Sequence, residues 1–216
     1  MPQALTAQAS CLNDVPVDRN LPGDVTTDPL AGKPDAMASW RATATPGAFP
    51  PPTEDQLAQV ACTAVRTVLA QAPGMRFYPH DFVGGPAFQA SLDEAEGNWA
   101  VGSRGRTPGG LISVEVTRQP KAFDPADDQP WGVGEEHSLQ DLGGGRHLAT
   151  WTEQLPFPQT TALISTVVLW TGRTRVMVSA SNVDTVRPAI TVSAAVPLTV
   201  EQLTAIVQDP GFAVFG

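Results

Sequence analysis

Residues 162–181 constrain the fold most. Ala162 to Trp170 is a nearly continuous run of apolar residues and threonine, and Thr174 to Ser181 places Val176, Val178 and Ala180 at alternate positions. Thr171-Gly172-Arg173 lies between them. Two such runs joined by a short glycine-bearing turn read as an antiparallel hairpin. The first run lacks the polar alternation of an edge strand, so it reads as a central strand of an antiparallel sheet.

Other segments supply partners. Leu111 to Arg118 alternates Ile112, Val114 and Val116 with Ser113, Glu115 and Thr117, the pattern of a half-buried strand. Asn98 to Gly102 and His147 to Gln154 read as further strands, the second carrying Trp151. Gly84-Gly85-Pro86, Pro108-Gly109-Gly110 and Gly143-Gly144-Gly145 are turn signals. Helical signals flank the strands. Thr53 and Gln56 form a capping box, after which Leu57, Val60, Ala61, Ala64, Val65, Val68 and Leu69 recur on one face until Pro73-Gly74. Thr199 and Gln202 repeat the box, with Leu198 and Leu203 spaced as a staple and Asp209-Pro210 as the stop. Helix, antiparallel strands, helix predicts a two-layer α+β domain, with the helices packed on one face of the sheet.

That domain spans residues 53–216, preceded by a Pro/Thr/Ala-rich arm over residues 1–52. Pro16, Pro22, Pro29, Pro34, Pro46 and Pro50-Pro51-Pro52 break any regular element in the arm. Yet it holds Cys11, Val15, Trp40 and Phe49, which are costly to leave in water. Cys11 and Cys62 are the two cysteines of the chain. Cys62 falls at the margin of the first helix's apolar stripe, where a segment crossing the helix edge can reach it. The expectation is a disulfide pinning the arm, against the alternative of a small buried thiol.

Such a bond points to an oxidising, extracytoplasmic compartment. Met1-Pro2-Gln3 lacks the basic start and apolar stretch of a secretion signal. The arm therefore reads either as a linker following a removed signal or anchor, or as the start of a cytosolic chain; the first is preferred. A net charge of -9 argues against nucleic-acid partners and against direct adsorption to anionic membrane, which leaves an anchor as the expected membrane link. No apolar run reaches the ~18–20 residues of a membrane span.

Catalytic motifs are sparse. Gly102-Ser103-Arg104-Gly105 lacks the glycine two residues before the serine that a nucleophile elbow requires. His80, His137 and His147 show no metal-ligand spacing, and Asp124, Asp127 and Asp128 read as a solvated acidic loop without calcium-loop glycine or glutamate. No cofactor is expected. Gly143-Gly144-Gly145-Arg146 offers amides and a cation but precedes a strand, not a helix N-terminus. Recognition is expected instead from two long loops, residues 79–97 and 119–138, carrying Phe82, Phe88, Phe123 and Trp131. The alternative is that these rings fold back onto the sheet.

One further likeness lies in the C-terminal third. Trp170 to Asn182, a hairpin ending in asparagine, followed by Pro197-Leu198-Thr199 and Gln202-Leu203, is similar to the ends of uncharacterised exported domains of high-GC actinobacteria. The resemblance implies a membrane- or lipid-anchored protein of the cell envelope and transfers no catalytic residue. The preferred expectation is a non-enzymatic extracytoplasmic domain that binds or senses a protein or cell-envelope ligand through its loops. Two alternatives stand beside it: a hydrolase or metal-dependent enzyme using Glu135, Glu136, His137 and His147, and an envelope assembly protein docking through its arm.

Overall fold

The computed structural model describes residues 11, 15–16, 50, 52–77, 88, 90–95, 98–126, 128, 137–157, 160–184 and 191–215. Helix α1 (Glu54–Gln71) precedes seven strands: β1 (Ala90–Ala95), β2 (Asn98–Thr107), β3 (Gly110–Arg118), β4 (His137–Gly143), β5 (Arg146–Phe157), β6 (Thr160–Thr171) and β7 (Thr174–Ser181). A two-residue pair follows, β8 (Val183–Asp184) with β9 (Thr191–Val192), then helix α2 (Val200–Val207) and a 3-10 turn at Pro210–Phe212.

The seven strands form one antiparallel sheet in the order β1-β2-β3-β7-β6-β5-β4. The chain builds one side as a meander, crosses to the far edge at β4, and returns strand by strand until β7 pairs with β3. The hairpin expected at residues 162–181 is β6–β7, and it sits inside the sheet as its continuous apolar pattern requires. Gly172 takes φ 57° in its turn, a conformation that side chains disfavour.

Both helices pack on one face, giving the two-layer α+β arrangement. Leu57, Val60, Ala61, Ala64 and Val68 of α1, with Leu203, Ile206 and Val207 of α2, meet Val101, Ile112, Val114, Val116, Val167, Val176 and Val178. Each helix begins with the capping box expected, Thr53 with Gln56 and Thr199 with Gln202, satisfying two otherwise orphaned N–H groups at each start. The glutamine at the second cap does more: its Nε2 donates to the carbonyl of Gln71 at 2.7 Å, tying the end of α1 to the start of α2.

Residues 90–95, inside the expected 79–97 loop, form the edge strand β1, and residues 137–143, which begin at the end of the expected 119–138 loop, form the edge strand β4. Their sequences, Ala-Ser-Leu-Asp-Glu-Ala and His-Ser-Leu-Gln-Asp-Leu-Gly, carry no β-branched residue. A neighbouring strand's unpaired ladder supplies what local propensity does not. The β4–β5 turn uses Gly143, Gly144 and Gly145, all at positive φ.

Cys11 and Cys62 form the expected disulfide, their Cα atoms 5.7 Å apart. Just beyond it Val15 is buried in the helix–sheet core, and the Phe77 amide donates to the Pro16 carbonyl at 3.0 Å. The described residues Cys11, Val15 and Pro16 are thus held to the domain by a covalent bond, by burial and by a backbone bond.

Asn182 closes β7. Its side chain is buried, accepts from the Leu163 amide at 2.7 Å and donates to the Ser193 carbonyl at 2.8 Å. It replaces ladder bonds at the end of the β6–β7 pairing and fixes the route into α2.

Candidate functional site

Of the residues expected to carry recognition, the two that are described, Phe88 and Phe123, lie in different clusters and are not brought together. Phe82, Trp131, Glu135, Glu136 and His80 lie outside the described residues. Phe88 is a correction: it is fully buried in the main core and is no exposed recognition ring. At φ 61° its backbone turns the ring inward, edge-on to Phe77 with centroids 4.9 Å apart. The space is provided by Gly105, where a Cβ would stand 2.3 Å from the Phe88 ring. Ser103 completes the arrangement. Its buried hydroxyl donates to the Phe88 carbonyl at 2.5 Å, a structural role for the serine of the Gly102–Gly105 motif.

Phe123 also folds back. It stacks on Trp170 with centroids 4.0 Å apart, on the sheet face away from the helices, beside a small cluster of Ala149, Trp151 and Val168. His147 lies at 5.4 Å from the same ring. His137 is opposite Trp151 in the β4–β5 register, four positions from His147 along β5 and so about 13 Å away. The two histidines are therefore not brought to one site. Among the described residues no group of three or more His, Cys, Asp and Glu side chains is placed to hold a metal.

The acidic loop turns out to be self-bonded. Asp128 accepts from the Asp124 amide at 3.0 Å, Asp124 accepts from the Ala126 amide at 2.9 Å, and Lys121 pairs with Asp128 at 3.1 Å. The Asp124 amide, followed by Lys121, holds the Asp128 carboxyl below its usual pKa. These carboxylates stabilise a turn.

A cleft lies elsewhere, at the end of the sheet formed by the β6–β7 turn. Antiparallel pairing brings three arginines there from distant positions: Arg118 closes β3, Arg146 opens β5 and Arg173 sits in the hairpin turn. The register sets Arg118 opposite Thr174 and Arg146 opposite Thr171. The Gln119 amide donates to the Arg173 carbonyl at 2.6 Å, fixing the turn against the end of β3. Facing the arginines, the chain leaves α2 through Gln208 and Asp209 and descends as Pro210, Phe212, Ala213 and Phe215. The cavity between the two walls measures about 700 Å³, and Leu169, Val176 and Val207 form its floor.

Its electrostatics are one-sided. Arg146 and Arg173 are exposed, and neither has a side-chain partner among the described residues. Asp209 is the acidic residue of the lining, and it is already engaged. One of its oxygens takes the Arg66 guanidinium at 2.7 Å and caps the Gly211 amide at 2.8 Å. The Ile206 carbonyl at the end of α2 is taken by the Asp209 amide at 3.1 Å. A cationic rim over an apolar floor is what remains.

Sequence reasoning missed this cleft. Arg173 reads as part of a turn, and Arg146 as the cation of an anion-binding loop, set aside because it precedes a strand. The available signal was that each arginine abuts a strand end, and it becomes a site only once strand order is known. The chain matches no protein-family model, no curated protein and no solved structure with which it was compared.

Proposed function

We propose that this is an extracytoplasmic binding or sensing domain whose recognition site is the arginine-rimmed cleft. The observation that carries the reading is the joining, in one cavity of about 700 Å³, of two exposed arginines, which have no side-chain partner among the described residues, with a floor of buried apolar side chains. That size and mix suit a small-molecule site, in which apolar walls supply affinity and a few polar groups supply orientation. The Cys11–Cys62 disulfide supports an oxidising compartment, the setting in which such bonds persist. Among the described residues no helix is long and apolar enough to cross a membrane. The likeness of residues 170–210 to exported envelope domains is consistent with attachment by an anchor.

A thermal-shift screen of envelope-derived metabolites, sugars, peptides and lipids tests the reading. A ligand at 100 times its dissociation constant adds about 2.7 kcal/mol to stability. The shift should vanish in the double variant Arg146→Ala/Arg173→Ala, whose exposed positions leave the fold intact. Ligands that stabilise the variant as strongly as the parent would place recognition elsewhere.

A further inference from the structure

We infer that the cleft takes an anionic amphiphile, one acidic headgroup (carboxylate or phosphate) on a hydrocarbon chain. The inference rests on the cleft being the recognition site and goes on to name the ligand's chemistry. Three arguments converge on it.

The first is charge. The chain carries a net charge of -9, yet Arg118, Arg146 and Arg173 gather at one cavity whose acidic residue, Asp209, is neutralised by Arg66. Guanidinium groups present planar forks of donors that match carboxylate and phosphate oxygens. A cationic headgroup would be repelled by Arg146 and Arg173, and a neutral one would not pair with their charge.

The second is the opposite wall. Pro210 and Ala213 are exposed on it and Phe215 is half-buried, so this wall presents apolar surface to solvent, with Phe212 buried behind it. A bare anion such as acetate or inorganic phosphate would engage the rim and leave this wall in water. A hydrocarbon chain laid along it removes apolar surface from solvent on both partners.

The third is origin. The arginines come from the sheet, whereas the phenylalanines come from the segment after α2. Head and tail therefore face different elements, which orients a ligand with one polar end. A cavity of about 700 Å³ lies well within the range of drug-sized ligands and accommodates a chain with its headgroup at the mouth.

The test is titration of the full chain with five probes below their micelle concentrations, read by amide chemical shifts and calorimetry. The probes are laurate, dodecyl phosphate, dodecyl maltoside, dodecyltrimethylammonium and inorganic phosphate. The expected result is binding of laurate, dodecyl phosphate or both, at least tenfold tighter than the neutral and cationic amphiphiles. Shifts should be centred on residues 171–174 and 207–215. Affinity should rise about fourfold per methylene from octanoate to laurate where each added methylene is buried. Arg146→Ala/Arg173→Ala should weaken it at least tenfold, with an unchanged circular dichroism spectrum. Preference for laurate indicates a free fatty acid as the source, and preference for dodecyl phosphate a phospholipid-type head.

Three results would overturn the inference. Equal binding of dodecyl maltoside, untouched by the arginine variant, would mean unspecific apolar adsorption. Inorganic phosphate binding as tightly as laurate at the same residues would reduce the site to a simple anion pocket, with the cleft reading intact. Absence of any shift at residues 171–174 and 207–215 with all five probes would remove the amphiphile. The wider cleft reading would then depend on the ligand screen alone.

Discussion

Breaking the Cys11–Cys62 bond isolates what the arm contributes. The cysteines are 51 residues apart, so the bond closes a long loop in the unfolded chain. In the chain-entropy model a loop of that length is worth about 4 kcal/mol. For a domain of this size each kcal/mol moves the melting temperature by roughly 2–4 °C, which predicts a fall of about 8–16 °C. The native contacts near the bond do not involve its sulfur atoms and are expected to persist without it. Val15 packs into the core and Pro16 accepts from the Phe77 amide. The loss should therefore come from the unfolded state, whose chain expands when the loop opens. Urea titrations of oxidised protein, reduced protein and Cys11→Ala/Cys62→Ala should show this directly. Both open forms are expected to lose about 4 kcal/mol and to show a larger m-value, because more surface is exposed on unfolding. A loss under about 1 kcal/mol with an unchanged m-value would refute the argument, since it would mean that the loop costs little to close.

Asn182→Ala leaves the Leu163 amide and the Ser193 carbonyl without their partners, at an expected cost of about 2–4 kcal/mol in urea titration; a change under about 0.5 kcal/mol would show that water replaces the side chain. Gly105→Ala drives a methyl into the Phe88 ring and should destabilise by about 1–3 kcal/mol, with Phe88→Leu in the same background restoring part of it. Failure of that rescue would place the strain in the backbone of β2. Asp128 titrates below its usual 3.8 because the folded loop favours its charged form. Its contribution is therefore complete above that value and is lost as pH falls through the folded pKa. The protection factor of the Asp124 amide, its exchange relative to the intrinsic rate at each pH, should fall through that window, and Asp128→Asn should abolish this pH dependence.

What could be read from the sequence follows the range of the interactions involved. The two capping boxes and the β6–β7 hairpin are set by residues a few positions apart, so pattern and turn chemistry suffice to find them. The disulfide was legible because a chain with two cysteines offers one intramolecular pairing. β1 and β4 were not, because their pairing is decided by the free edges of β2 and β5. Phe88 was misread for a related reason. Its ring looks like a loop aromatic, and its burial depends on Gly105, which lies in a strand that it meets only after folding.

The cleft is the extreme case. Arg118, Arg146 and Arg173 lie in different parts of the sequence, and each has an ordinary local role at the end of a strand or in a turn. What joins them is the crossover from β3 to the far edge at β4. It makes the chain return through β5, β6 and β7, and so puts the end of β3, the start of β5 and the β6–β7 turn at the same end of the sheet. Had the crossover been absent and β4 paired directly with β3, Arg146 and Arg173 would no longer flank Arg118 across the same hairpin. The cationic rim is thus a product of topology. For this fold, a search for function has to begin from strand order and strand ends, where isolated charges of the sequence become neighbours.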